Sequence, residues 1–261
     1  LLTQPLELPS SIAKLPPKPR SSISSTLDQL KLPKTIPGSL DFLIDGKAFY
    51  SALFESTRKA QHSIDTRVFI FDNDDIATQY ADLLKKKSSQ VRCRVIMDEL
   101  GSISSWWTAP LTKQSEGFKP PSSIPHYLRS KSKVRVRESK NPWLVADHTK
   151  LFIFDQKIAY LGGMNIGREY RYEWHDMMVR LTGPIVTQLQ NEFNHTWIQQ
   201  GFLGDFRMPF HRHQVVKKSK TSKLIPLRIL KTNCRHKHIE TAMIAAIRMS
   251  KKRVYLQNSY V

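Results

Sequence analysis

The segment from His148 to Asn165, HTKLFIFDQKIAYLGGMN, constrains this chain more than any other. Leu151–Phe154 and Ile158–Leu161 are short, dense apolar runs and read as strands, joined by the polar Asp155-Gln156-Lys157. Polar chemistry is gathered at their ends. His148 and Lys150 stand two apart, so on a strand their side chains share a face. Asp155 falls in the turn. Gly162 and Gly163 let the backbone approach something closely, and Asn165 follows on the strand's exit. One nucleophile, one cation, one amide and two glycines at strand ends suit a phosphate pocket.

The flanking sequence alternates helical and strand periods. Residues 46–61, GKAFYSALFESTRKAQ, space Phe49, Leu53, Phe54 and Ala60 for a helix, and order is expected to begin near Gly38. SIDTRVFIF, residues 63–71, reads as a strand. Asp72, Asp74 and Asp75 read as a polar turn and helix start, and residues 76–87 as a helix whose last turn carries Lys85-Lys86-Lys87. Val91, Cys93, Val95 and Met97 alternate with Arg92 and Arg94, the pattern of a strand with one buried face. From Gly101 to Asn141 the periods dissolve into a long loop with Trp106-Trp107 and several prolines, interrupted by a short strand at 134–137. A strand at Met177–Leu181 and a helix from Pro184 to about Gln200 close this region. The near-continuous apolar strands predict an α/β fold: a mixed sheet with helices on both faces over residues 38–203.

The two ends differ. Residues 1–37 are rich in Pro and Ser without an apolar period and are expected to form a flexible leader. Residues 204–224 read as a basic linker. Beyond it come a strand-like LIPLRIL, a helix over His238–Met249 and a strand in RVYLQNSYV. This order repeats the helix-then-strand opening of residues 47–71, so 225–261 are expected to begin a second, incomplete lobe. The formal charge of +19 is concentrated here: residues 205–261 hold 14 Lys/Arg against 2 Asp/Glu. Such a balance favours anionic partners, whether an acidic membrane surface or nucleic acid. No apolar run reaches the ~18–20 residues that span a bilayer. A chain opening on Leu1-Leu2 rather than Met is expected to be a processed or truncated product, with room for a removed signal or anchor.

The remaining groups admit bland readings. Cys93 and Cys234 indicate neither a disulfide framework nor a zinc site, and Cys93 reads as a small buried hydrophobe. Asp98-Glu99 reads as a polar strand end lining a cleft, with a metal pair as the alternative. Trp106 and Trp107 suit either a lipid interface or the cover of a core. Met164, Met177 and Met178 read as core, and His175 as a neighbour pointing away from Asp176.

His-x-Lys, four residues, Asp, six residues, Gly-Gly-x-Asn resembles the signature of the phospholipase D superfamily at every fixed position. IDGKAFYSALFESTRKAQHSIDTRVFIFDND, VRCRVIMDELGS, GGMNIGREYRYEWHDMMVRLTGPIVTQLQNEFNHTW and KKRVYLQNSYV resemble the corresponding stretches of bacterial cardiolipin synthases. The resemblance implies displacement at a phosphodiester without a metal or other cofactor. His148 would attack phosphorus and form a phosphohistidine. Lys150 and Asn165 would hold the non-bridging oxygens, with Gly162 and Gly163 in the substrate-binding turn. Asp176, in EWHDMM, resembles the carboxylate that orients the histidine and is expected within hydrogen-bond reach of it. Asp155 resembles a motif residue that supports the local turn rather than touching phosphate.

The superfamily's active site uses two such motifs, and this sequence carries one; His236-Lys237-His238 does not continue the pattern. The expected partner is therefore a second lobe, from a C-terminal continuation or a second chain. The resemblance implies a bacterial, membrane-associated enzyme acting on phospholipid. Two alternatives stand beside it: a homodimeric nuclease of the same superfamily acting on DNA or RNA, and a non-catalytic lobe that docks phosphate.

Overall fold

The computed structural model describes residues 22–105, 110–139, 146–201, 224–233 and 236–256. The chain forms two compact units: residues 37–225, and residues 1–36 together with 226–261. In chain order the elements are α1 (Ile23–Gln29), β1 (Ile36–Ile44), α2 (Asp45–Lys59), β2 (Ser63–Val68), α3 (Asp75–Lys87), β3 (Arg92–Asp98), α4 (Glu99–Ser105), α5 (Ile124–Arg129), β4 (Arg135–Ser139), β5 (Leu151–Phe154), β6 (Ile158–Gly162), α6 (Arg168–Tyr172), β7 (Met177–Thr182), α7 (Pro184–Gln199), β8 (Ile225–Leu227), β9 (Thr232–Asn233), β10 (His236–Lys237) and α8 (His238–Met249).

In the larger unit β1 to β7 lie in the order β4-β3-β2-β5-β6-β7-β1. β2, β3 and β4 run parallel, while β5, β6, β7 and β1 join through antiparallel pairs. The fold is the expected mixed α/β arrangement, and the two-residue period of the strands sorts its faces. Ile64, Thr66 and Val68 of β2, with Cys93, Val95, Phe152, Phe154, Tyr160 and Met178, are buried on the side where α2 and α3 supply Phe49, Tyr50, Leu53, Tyr80 and Leu84. The opposite parity carries Asp65, Arg94, Ile153 and Ala159, and α7 covers it with Val186, Leu189, Gln190 and Phe193. Helices therefore lie on both faces.

Strand direction then places the chemistry. β2 and β3 end at the edge where β5 and β7 begin and β6 ends. Residues just after Val68 and Asp98, just before Leu151 and Met177, and just after Gly162 therefore meet at one edge of the sheet. The β5–β6 turn lies at the other edge.

Asp155 occupies that opposite edge. It takes a left-handed conformation (φ 50°), tolerated by Asp because its side chain bonds locally. Its carboxylate accepts from the N–H groups of Gln61 (2.9 Å), His62 (2.7 Å) and Ser63 (2.9 Å), and its own N–H donates to the Ser63 carbonyl (2.8 Å). Burial pushes this carboxyl up, but the N–H donors outweigh burial and hold it below the usual carboxylate range. Its stabilisation is therefore present at neutral pH and lost as pH falls through the depressed value. Asp155→Ala is expected to cost about 1–3 kcal/mol by orphaning these donors. Chemical denaturation at pH 7 measures this, and an unchanged midpoint would remove the structural role.

Several sequence expectations need correction. His148 and Lys150 immediately precede β5 rather than lying in it. The strand read over 63–71 stops at Val68, and the long loop after Gly101 contains α5 and follows α4. α5 forms because Ser123 caps it and Pro125 sits in its first turn. β1 escaped notice because it is a partly exposed strand whose pairing with β7, residue 39 against 182 through 44 against 177, is entirely long-range. Met164 and Met178 are buried, but Met177 is 42% exposed, since adjacent strand residues face opposite ways. Cys93 is buried.

In the smaller unit, α1 interrupts what was expected to be a flexible leader. The Ser22 hydroxyl accepts from Ser25 N–H (3.3 Å), and Arg228 holds the segment by donating to Asp28 (2.8 Å) and the Pro33 carbonyl (2.6 Å). Arg253–Leu256 form no strand, because a strand needs a neighbour for its backbone groups and none is seen among the described residues. The leader up to residue 21, Trp106 and Trp107, the basic linker over 204–223, Cys234 and the last five residues lie outside the described residues.

Candidate active site

The sheet edge where β2, β3 and β6 end collects His148, Lys150, Gly162, Gly163, Asn165 and Asp176; Asp155 is not among them. His148 is held from the side. Arg67, one residue before the end of β2, donates from Nε to Asp147 (2.7 Å), and the Asp147 N–H donates to Asp98 (3.0 Å). Asp98 is 1% exposed and also accepts the Gly101 N–H (2.9 Å) at the start of α4. Both carboxylates thus anchor the residue before the histidine. The Asp98 carboxylate thus caps backbone N–H groups at the end of β3.

The imidazole of His148 is exposed and stacks on Phe69, with centroids 3.9 Å apart and planes 21° from parallel. Burial and then the Lys150 cation lower its pKa; Asp98 and Asp147 oppose this. The ring is therefore held towards the neutral form that a nucleophile requires. Lys150 is 8% exposed, and its ammonium donates to the His148 carbonyl (2.7 Å). Burial pulls its pKa down to about 8, against the attraction of Asp147 and Asp176. A buried ammonium with spare N–H bonds is a ready anion site.

Asn165 is buried between two jobs. Its side-chain oxygen accepts the Ile70 N–H (2.9 Å), and its Nδ2 donates to the Tyr170 hydroxyl (2.9 Å), leaving one amide hydrogen. The fully buried Tyr50 hydroxyl clamps the same turn, lying 3.0 Å from the Asn165 carbonyl and 2.8 Å from both the carbonyl and the N–H of Gly167.

The two glycines serve a close approach within the protein. A Cβ at Gly162 would overlap the Met177 carbonyl, and one at Gly163 would overlap the Asp176 carboxylate. Asp176 is pinned there: its Oδ1 accepts the Met177 N–H (2.6 Å), and its backbone pairs with Asp45. Among the described residues no hydrogen bond joins it to His148. Its charge acts on Lys150 instead. His175 points away, to Asp45 (2.6 Å).

Sequence reasoning missed Phe69, Arg67, Asp98 as an anchor, and Tyr170. Asp147 was signalled only by adjacency to His148. Phe69 carried no signal, since it sits in an apolar run that reads wholly as core.

Residues 53–197 match the family described as "Cardiolipin synthase, PLD-like domain". The chain is 28% identical over 185 residues to cardiolipin synthase A of Pseudomonas fluorescens, covering 64% of this chain and 35% of that protein. It is 30% identical over 167 residues to a cardiolipin synthase of Oceanobacillus iheyensis, covering 61% and 33%. The chain thus spans about a third of the length of these curated relatives. Among solved structures, a phosphatidylserine synthase of Haemophilus influenzae aligns at TM-score 0.48 and 14% identity, over 87% of this chain and 47% of that one. The phospholipase D family member Nuc of Salmonella typhimurium aligns at 0.46 and 16%, over 61% and 94%.

Proposed function

The chain belongs to the phospholipase D superfamily, through the cardiolipin synthase PLD-like domain family, and from that premise we propose that it is one catalytic half-site of a phosphatidyl-transferring enzyme. One observation carries the reading: a neutral-leaning, exposed imidazole lies beside a buried lysine ammonium at the same sheet edge. The imidazole lone pair attacks phosphorus, an N–P bond forms, and the bond to the leaving oxygen breaks. Lys150 and the remaining amide hydrogen of Asn165 receive the non-bridging oxygens, whose charge grows in the transition state. Asp176 supports Lys150 electrostatically, and Asp155 holds the distant turn.

The substrate we propose is an anionic phospholipid such as phosphatidylglycerol, at a membrane surface in a bacterial cell. The names of the curated relatives and the excess of basic residues in 205–261 support this. No helix among the described residues is long and apolar enough to cross a membrane. A second motif, from further chain or a second copy, completes the site and supplies the proton for the leaving oxygen.

Two measurements test this. Head-group release from phosphatidylglycerol vesicles is compared with cleavage of single- and double-stranded nucleic acid at several protein concentrations. Activity on nucleic acid alone, rising with the square of concentration, would replace this reading with a homodimeric nuclease. Affinity for a phosphodiester head-group analogue is expected to fall as pH rises through about 8, because Lys150 loses its proton there. Lys150→Arg should flatten that dependence, since guanidinium stays charged. A wild-type affinity independent of pH from 7 to 10 would remove Lys150 from the phosphate site.

A further inference from the structure

We infer that Phe69 is the positioning residue for His148, a flat platform that sets the plane of the nucleophilic ring. The inference rests on the reading of His148 as nucleophile. Among the described residues neither ring nitrogen of His148 has a hydrogen-bond partner, and the Asp176 Oδ1 accepts from the Met177 N–H. A ring without such bonds turns about χ2, whose energy well is broad. What restrains it here is the near-parallel stack on Phe69. The Lys150 ammonium also approaches the Phe69 ring, 5.2 Å from its centroid. The electron-rich face of one phenyl ring thus orders both the nucleophile and the cation.

Phe69 is itself held in place. The Ile70 N–H is fixed by Asn165 (2.9 Å), and the Phe71 N–H donates to the Ser102 hydroxyl (3.1 Å). Gly101 of α4 lies so close that a Cβ there would overlap the Phe69 ring. The motif's asparagine therefore acts on the histidine through the backbone beside Phe69. A stack serves a nucleophile well, because it fixes orientation while leaving the lone pair free. A site must be held by side chains whose rotamers are locked in this way.

The test uses the 261-residue chain with bis(p-nitrophenyl) phosphate, whose leaving group departs without a proton, together with the NMR signal of the His148 ring. In wild type the ring protons are shifted upfield by the stacked phenyl. Phe69→Leu is expected to abolish that shift and to slow the burst of p-nitrophenolate roughly 100-fold, as a misaligned attack does, with little change in half-saturating concentration. Phe69→Tyr keeps the aromatic face and is expected to retain both shift and rate. Gly101→Ala leaves Phe69 and His148 in the sequence but displaces the platform, and is expected to behave as Phe69→Leu does. An unchanged His148 signal and burst in Phe69→Leu would overturn the platform, as would an equal loss in Phe69→Tyr. If His148→Ala leaves the burst intact, the nucleophile reading fails, whatever the NMR signal shows about the stack.

Discussion

His148→Ala is expected to eliminate the covalent phosphoenzyme altogether, and wild-type chain is expected to form it only from substrates with good leaving groups. On the proposed reading His148 is the nucleophile and Lys150 and Asn165 are the donors for the non-bridging oxygens, but the motif occurs once in the 261 residues. A p-nitrophenolate needs no proton to leave, so the first step proceeds from bis(p-nitrophenyl) phosphate. A glycerol alkoxide does need one. General acid assistance is typically worth ~10²–10⁴-fold, so head-group release by this chain alone should be slower than in the completed site by about that factor. Acid-labile, base-stable phosphate on His148, detected after rapid quench, measures the intermediate. Head-group release at the full rate from monomeric chain would show that one motif suffices. Phosphoenzyme persisting in His148→Ala would show that the wrong nucleophile was assigned.

Asp65→Ala is expected to destabilise the larger unit by about 3–5 kcal/mol. Asp65 is wholly buried under α7, paired with Arg94 through two bonds of 2.7 Å, and it also accepts from Gln190 (2.8 Å). The Arg94 side chain is only 10% exposed and lies over the ring of Phe193, 4.8 Å from its centroid. Removing the carboxylate would strand a guanidinium between sheet and helix. Domains of this kind are stable by roughly 5–15 kcal/mol, so the loss would be a large fraction of the total. Replacing both partners, as in Asp65→Leu with Arg94→Met, should cost less than Asp65→Ala alone, because no unpaired charge is left. Urea denaturation of the three proteins measures this, and a double variant less stable than Asp65→Ala would contradict the argument. The effect reaches the site, since Arg67, the next residue on that face of β2, holds Asp147 beside His148.

Much of the site was legible because its signals are local. His148, Lys150, the glycine pair and Asn165 flank two apolar runs, and the alternation of strand residues forces polar groups to the ends. The spans of α2, α3, α7 and α8 followed from helical spacing and terminal residues, and the structure places them within a residue or two of those expectations. Asp155 was read as a turn support, although nothing in the sequence told which edge of the sheet it would occupy.

Phe69 and Phe71 mark where such reading stops. Both belong to the run VFIF, and alternation alone would put them on one face. Phe71 is fully buried, and its backbone bridges Ile166; Phe69 leaves the strand's end and meets His148. The difference arises because β2 stops at Val68. Asp176 is similar: its place beside the Gly162–Gly163 turn depends on how β7 pairs with β6 and β1. Backbone sterics and periodicity act over a few residues, so the sequence by itself determined the elements and the chemistry at their ends. Strand order and register are set by burying both faces of one sheet, built from segments far apart in the chain. Only that tertiary pairing brought His148 onto Phe69, placed Asp176 beside the glycine turn, and carried Asp155 to the sheet edge opposite His148.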